Sequence, residues 1–113
     1  MHEVSVVAEL FEIIYENVNR YNLKRVDKII LRIGEFTCIE ENGLRFAFEG
    51  MSKETICENA ALIIQRIKAR AYCDACKESF YINYTNKICP KCNQFSSNIM
   101  TGYELLLEKI EGE

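Results

Sequence analysis

Four of the six cysteines stand in two C-x2-C pairs, Cys73-Asp-Ala-Cys76 and Cys89-Pro-Lys-Cys92, with twelve residues between them. At that spacing both sulfurs of a pair converge on one ion while nearby backbone N–H groups turn toward them. Two pairs complete a tetrahedral all-sulfur set, which suits Zn(II). A site with four protein ligands is closed, so its expected role is structural. The metal replaces the core that a peptide of about 20 residues cannot build. Cys38 and Cys57 belong to neither pair and are expected to be small buried hydrophobes.

The same four ligands also hold iron in rubredoxin-like proteins, and ribbons of this kind bind nucleic acid elsewhere. Against nucleic acid, residues 73–92 carry Lys77, Lys87 and Lys91 against Asp74 and Glu78, before the thiolates add negative charge. That is a poor phosphate footprint. The chain has 14 Lys+Arg against 17 Asp+Glu, a net charge of −3, which points the same way.

The other unusual pattern is the opening Met1-His2-Glu3. A free amine, the following backbone amide and the His2 imidazole can close adjacent chelate rings on one metal, with Glu3 supplying a further position. Nitrogen-dominated tetragonal geometry favours Ni(II) or Cu(II). The amine (pKa about 7.7–8.0) and imidazole (about 6.5) must both be unprotonated, so affinity should fall in mild acid. By spacing alone, the favoured reading is that His2 is an ordinary terminal residue and Glu3 a favourable first-turn carboxylate. Val6 stands where an H-E-x-x-H metalloprotease motif needs its second histidine. With His2 the only histidine, neither a His-rich catalytic zinc site nor a usual nucleophile–base pair can be built. The chain is not expected to be an enzyme.

The elements that must position these groups follow from periodicity. Of the 113 residues 49% are hydrophobic and 27% charged, the balance of a folded domain. Val4, Val7, Ala8, Phe11, Ile14, Tyr15 and Val18 form a helical stripe, and Leu44, Ala47, Phe48 and Met51 a second one within 40–55. Residues 25–33 alternate as a strand with Ile29, Leu31 and Ile33 inward. Residues 61–71 read as a strand with Ile63, Ile67 and Ala69 inward, and 103–110 as a last one with Tyr103, Leu105 and Leu107 inward. The expected fold is α+β: a three-stranded sheet with two helices on one face, plus an inserted zinc ribbon. The domains are 1–71 with 97–113, and 72–96. Ile30, Leu62, Ile64, Leu106 and Ile110 are then left on the outer face, either partly covered or open to a partner. No apolar run reaches the ~20 residues of a membrane span, and the N-terminus lacks the features of an export signal. A soluble cytoplasmic protein is expected, with neither a membrane nor a nucleic acid as partner.

Taken in order, Met1-His2-Glu3, Ile33-Gly34-Glu35, Leu44 to Phe48, the two cysteine pairs and Gly102-x-Glu104-Leu105 resemble the HypA/HybF hydrogenase/urease nickel-incorporation family over essentially the whole chain. The resemblance implies a nickel metallochaperone, with Ni(II) carried on Met1, His2 and Glu3. It implies structural zinc on Cys73, Cys76, Cys89 and Cys92. It further implies work with a nickel-incorporation GTPase and the precursor of the [NiFe]-hydrogenase large subunit; the sequence leaves monomer or homodimer open. Some members also serve urease maturation.

Overall fold

The computed structural model describes residues 3–113; Met1 and His2 lie outside them. The fold is α+β, in the element order α1 (Glu3–Tyr21), β1 (Val26–Gly34), a 3-10 turn (Glu35–Thr37), α2 (Glu41–Ser52), β2 (Ala61–Ile67), β3 (Arg70–Cys73), β4 (Glu78–Tyr81), β5 (Ile99–Thr101) and β6 (Leu105–Gly112). Two three-stranded sheets result, ordered β2-β1-β6 and β4-β3-β5. Two compact units emerge. One takes the residues up to Arg32 with Cys38–Gln65 and Leu106–Glu113; the other takes Ile33–Thr37 with Arg66–Leu105.

In the first unit, α1 buries Val7, Phe11, Ile14 and Val18, the spine that the spacing predicts. Its flanks differ from expectation. Val6 and Leu10 are buried, while Val4 is 64% and Tyr15 38% exposed. At 100° per residue, Val6 and Leu10 lie on one side of the spine and Val4, Ala8 and Tyr15 on the other, and apolar types on both sides leave the choice to packing. Helix α2 contributes Leu44 and Phe48, with Phe48 stacked on Phe11 at a centroid distance of 5.4 Å. Met51 is exposed, and the buried Ser52 takes the adjacent place, its hydroxyl donating to the Glu49 carbonyl. The helix starts cleanly because Glu40 accepts from the Asn42 and Gly43 amides, two of its four orphan donors.

Ile29 and Leu31 of β1 are fully buried, as the alternation predicts. Arg25 and Glu113 exchange both backbone hydrogen bonds at 3.0 Å, so β1 and β6 pair antiparallel. On β2 the predicted faces are reversed: Leu62 is buried and Ile63 exposed. With apolar side chains at four successive positions, 61–64, either face could have been the inner one. On the last strand, Leu105 and Leu107 are half-buried, but Tyr103 precedes β6 and is 64% exposed.

The second unit shows why 61–71 is not one strand. The chain leaves the first sheet after Ile67, and Arg70 begins β3 of the second. Strand β3 pairs antiparallel with β4, Ala71 opposite Phe80, and with β5, with an irregularity between Arg70 and Ala71. Strand β5, too short to show an alternation, has no counterpart in the sequence reading. Across the 3-10 turn, Gly34 donates to the Glu104 carbonyl at 2.8 Å and Phe36 to the Gly102 carbonyl at 2.7 Å. A Cβ on Gly34 would lie 2.2 Å from the Gly102 oxygen, a backbone atom that cannot swing away. Gly34→Ala is therefore expected to destabilise the second unit by about 2–3 kcal/mol, the upper range for overpacking, read as a lowered urea midpoint.

Candidate metal centres

The four paired cysteines meet at one place. All their sulfurs lie within 4.8 Å of one another, with Cys73 to Cys92 at 3.5 Å and Cys76 to Cys89 at 3.9 Å. None is in a disulfide. A tetrahedron of 2.3 Å metal–sulfur bonds has edges of about 3.8 Å, so these spacings fit a thiolate-bound ion such as Zn(II).

Local backbone geometry explains the convergence. In the first knuckle the Lys77 amide donates to the Cys73 carbonyl at 2.7 Å, and Lys77 is left-handed at φ 57°. In the second, the Asn93 amide donates to the Cys89 carbonyl at 2.8 Å, with φ 61°. Each pair thus turns through a left-handed residue one place after its second cysteine, a position that asparagine tolerates better than lysine. The Cys76 amide points at the Cys73 sulfur, 3.4 Å away. Beneath the knuckles, Cys73 and Cys89 are buried in a cluster with Phe36, Ala69, Ala71, Phe80 and Ile82, against which Cys76, Cys92 and Ile99 also pack.

Crowding four sulfurs splits their acidities. Backbone amides of Cys92 and Lys91 turned at the Cys89 sulfur lower its pKa to about 7. The Cys76 thiol is pushed up to about 12 by its hydrogen bond with Cys92, then by desolvation and the other sulfurs. Cys92 is held up as well: the Gln94 backbone favours its thiolate, but desolvation and the neighbouring sulfurs outweigh it. A thiol with a raised pKa stays protonated at neutral pH and must lose its proton when it ligates. Zinc uptake at pH 7 should therefore release protons, and affinity should fall on acidification, most steeply once Cys89 also protonates below about pH 7. Zinc titrations in weakly buffered solution check this through the protons released per metal.

The second candidate centre is only partly within the described residues. Met1 and His2 lie outside them; Glu3 opens α1 and is half-buried. The Glu3 side chain lies beside Gly43 at the start of α2: a Cβ there would be 3.2 Å from Glu3 Oε1 and 3.2 Å from Glu40 Oε2. A second carboxylate, Glu40, therefore borders the same glycine as Glu3. Nothing in its sequence position marked it, because Gly43 brings together side chains from two helix starts. Cys57 is buried, as expected, and burial pushes its thiol up. Cys38, expected to be buried, is exposed, and sits at φ 60° after the 3-10 turn. Among the described residues no helix is long and apolar enough to cross a membrane.

Comparison with known proteins agrees with this architecture. Residues 1–112 match the family described as "Hydrogenase/urease nickel incorporation, metallochaperone, hypA". Hydrogenase maturation factor HypA of Desulfitobacterium hafniense is 34% identical over 113 residues, covering 100% of this chain and 99% of its own. HypA of Dehalococcoides mccartyi is 32% identical over 111 residues, covering 98% and 93%. The solution structure of the Ni metallochaperone HypA from Helicobacter pylori superposes with a TM-score of 0.69 at 28% identity, covering 99% of this chain and 97% of that one. The chain belongs to the HypA family of nickel-incorporation metallochaperones.

Proposed function

We propose that this protein binds Ni(II) at its amino terminus and delivers it during maturation of [NiFe]-hydrogenase, while a structural zinc ion holds the cysteine unit. Met1, His2 and Glu3 carry the nickel as cargo; Cys73, Cys76, Cys89 and Cys92 hold the zinc. The observation that carries the reading is the family match over residues 1–112, a span that includes both ligand sets. The convergence of four sulfurs supports the zinc half. The recipient is the large-subunit precursor, reached together with a nickel-incorporation GTPase, in the cytoplasm. Urease accessory proteins form a second set of partners, since the family description names urease beside hydrogenase. The protein is a carrier and catalyses no reaction.

The two halves differ chemically. Four thiolates enclose their ion and let it go slowly. A terminal amine, an amide and one imidazole leave positions open, so that a recipient's ligands can enter before the carrier's leave. Equilibrium dialysis of untagged protein, with elemental analysis, tests the reading. One zinc should resist a competing chelator, while Ni(II) should bind at pH 7.5 and exchange into that chelator. Bound nickel should drop sharply by about pH 5.5 as the imidazole and amine protonate. Failure to take up nickel at neutral pH with the cysteines loaded would overturn it.

A further inference from the structure

The second sheet presents an exposed face that the cysteine site does not use. Along β3, Ala71 and Cys73 are buried, so Arg70 and Tyr72 point the other way. Arg70 stands opposite Tyr81 on β4 and Thr101 on β5, so three strands place these residues in one row. The Lys68 ammonium lies 5.6 Å from the Tyr81 ring centroid and the Arg70 guanidinium 5.8 Å from it. Two cations thus share one exposed aromatic ring, 69% open to solvent, despite their mutual repulsion. Arg70 also donates to the Ser79 hydroxyl, and the Thr101 hydroxyl donates to the Lys68 carbonyl.

What sets these two cations apart is the ring they share, with no carboxylate against either of them among the described residues. Arg25, Lys28, Arg32, Arg45, Lys91 and Lys109 each have a carboxylate within 4.0 Å. Among the described residues Lys68 and Arg70 have none. Both are exposed, and the face offers donors rather than carboxylates: a guanidinium, an ammonium and a phenol.

We propose that this face binds a short Asp/Glu-rich segment of a partner protein, its carboxylates held by Arg70 and Lys68 and its aliphatic stems lying on Tyr81. The Arg70 fork suits a carboxylate, and Tyr81 keeps both cations oriented before the partner arrives. Charge counting favours a peptide over nucleic acid. The whole unit has six basic side chains against four acidic ones, and four metal-bound thiolates cancel that surplus. So few phosphate contacts would give weak binding.

The test uses zinc-loaded full-length protein and a fluorescein-labelled ten-residue oligoglutamate peptide, read by fluorescence anisotropy, with a ten-nucleotide oligothymidylate as competitor. The peptide should bind and weaken as NaCl rises. Lys68→Ala combined with Arg70→Ala should weaken it by about tenfold, and Tyr81→Ala by about threefold. Lys53→Ala, on an exposed cation of the other unit, should leave affinity unchanged. Unaltered zinc content and circular dichroism in each variant would show that the fold is intact. Undiminished binding by the double variant overturns the proposal. So does displacement of the peptide by equal or lower oligothymidylate, which would assign the face to nucleic acid. A dimer that dissociates in the double variant would assign it instead to a second copy of the chain.

Discussion

His2→Ala is expected to lower Ni(II) affinity by about 100-fold or more, with zinc content unchanged. Losing a secondary contact to a metal ligand already costs 10–100-fold, and here a ligand itself is removed. In the proposed nickel site the imidazole would close one chelate ring, so its loss would weaken the hold of the amine and amide as well. No cysteine is touched, so the sulfur site should load as before. Extending the chain ahead of Met1 is the sharper variant. It keeps every side chain but turns the terminal amine into an amide, which no longer offers a free lone pair. Both variants should fail in isothermal titration with Ni(II) at pH 7.5. Wild-type affinity in both would defeat the assignment of nickel to the amino terminus while leaving the zinc reading standing.

The parts of the fold that the sequence made legible are those where one local pattern has one packing solution. The α1 spine from Val7 to Val18 and the β1 alternation through Ile29 and Leu31 are of this kind, and both are buried as expected. The cysteine pairs are too, because ligand spacing and the turn after each second cysteine are local properties. Where residues were apolar on both candidate faces, as on β2 and the flanks of α1, only tertiary packing could choose. Gly34 and Gly102 illustrate a third case. They are 68 residues apart, and nothing local shows that the Gly102 carbonyl occupies the space above Gly34. Glu3 and Glu40, both against Gly43, are similar: two helix starts far apart in sequence border one glycine. The break after Ile67 went unread because Lys68 and Ala69 continue the alternation while changing sheets.

Removing the zinc, or replacing Cys76 with serine, is expected to unfold the second unit and leave the first folded. The energetics differ between the two. The first unit has its own fully buried side chains, among them Val7, Ile14, Ile29, Leu31 and Leu44. Apart from its cysteines, the cluster under the knuckles has five buried residues, two of them alanines. With three large apolar side chains, Phe36, Phe80 and Ile82, that cluster is too small a core to hold the unit by itself. Structural zinc is worth about 10–16 kcal/mol of apparent binding free energy in zinc-finger peptides, which do not fold without it. Four sulfurs within 4.8 Å of one another need a bridging ion to stay together once they are deprotonated, because thiolates repel. Amide NMR signals of residues 66–105 should collapse toward random-coil positions in the stripped protein and in Cys76→Ser, while those of α1 and α2 stay dispersed. Re-adding zinc should restore the wild type and fail to restore the variant fully. If the cysteine unit stayed folded and zinc-loaded in Cys76→Ser, the ion would not be its structural core. The separation of roles would then lose its physical basis, because a carrier that exchanges one metal at an open terminus needs the other locked where exchange cannot reach it.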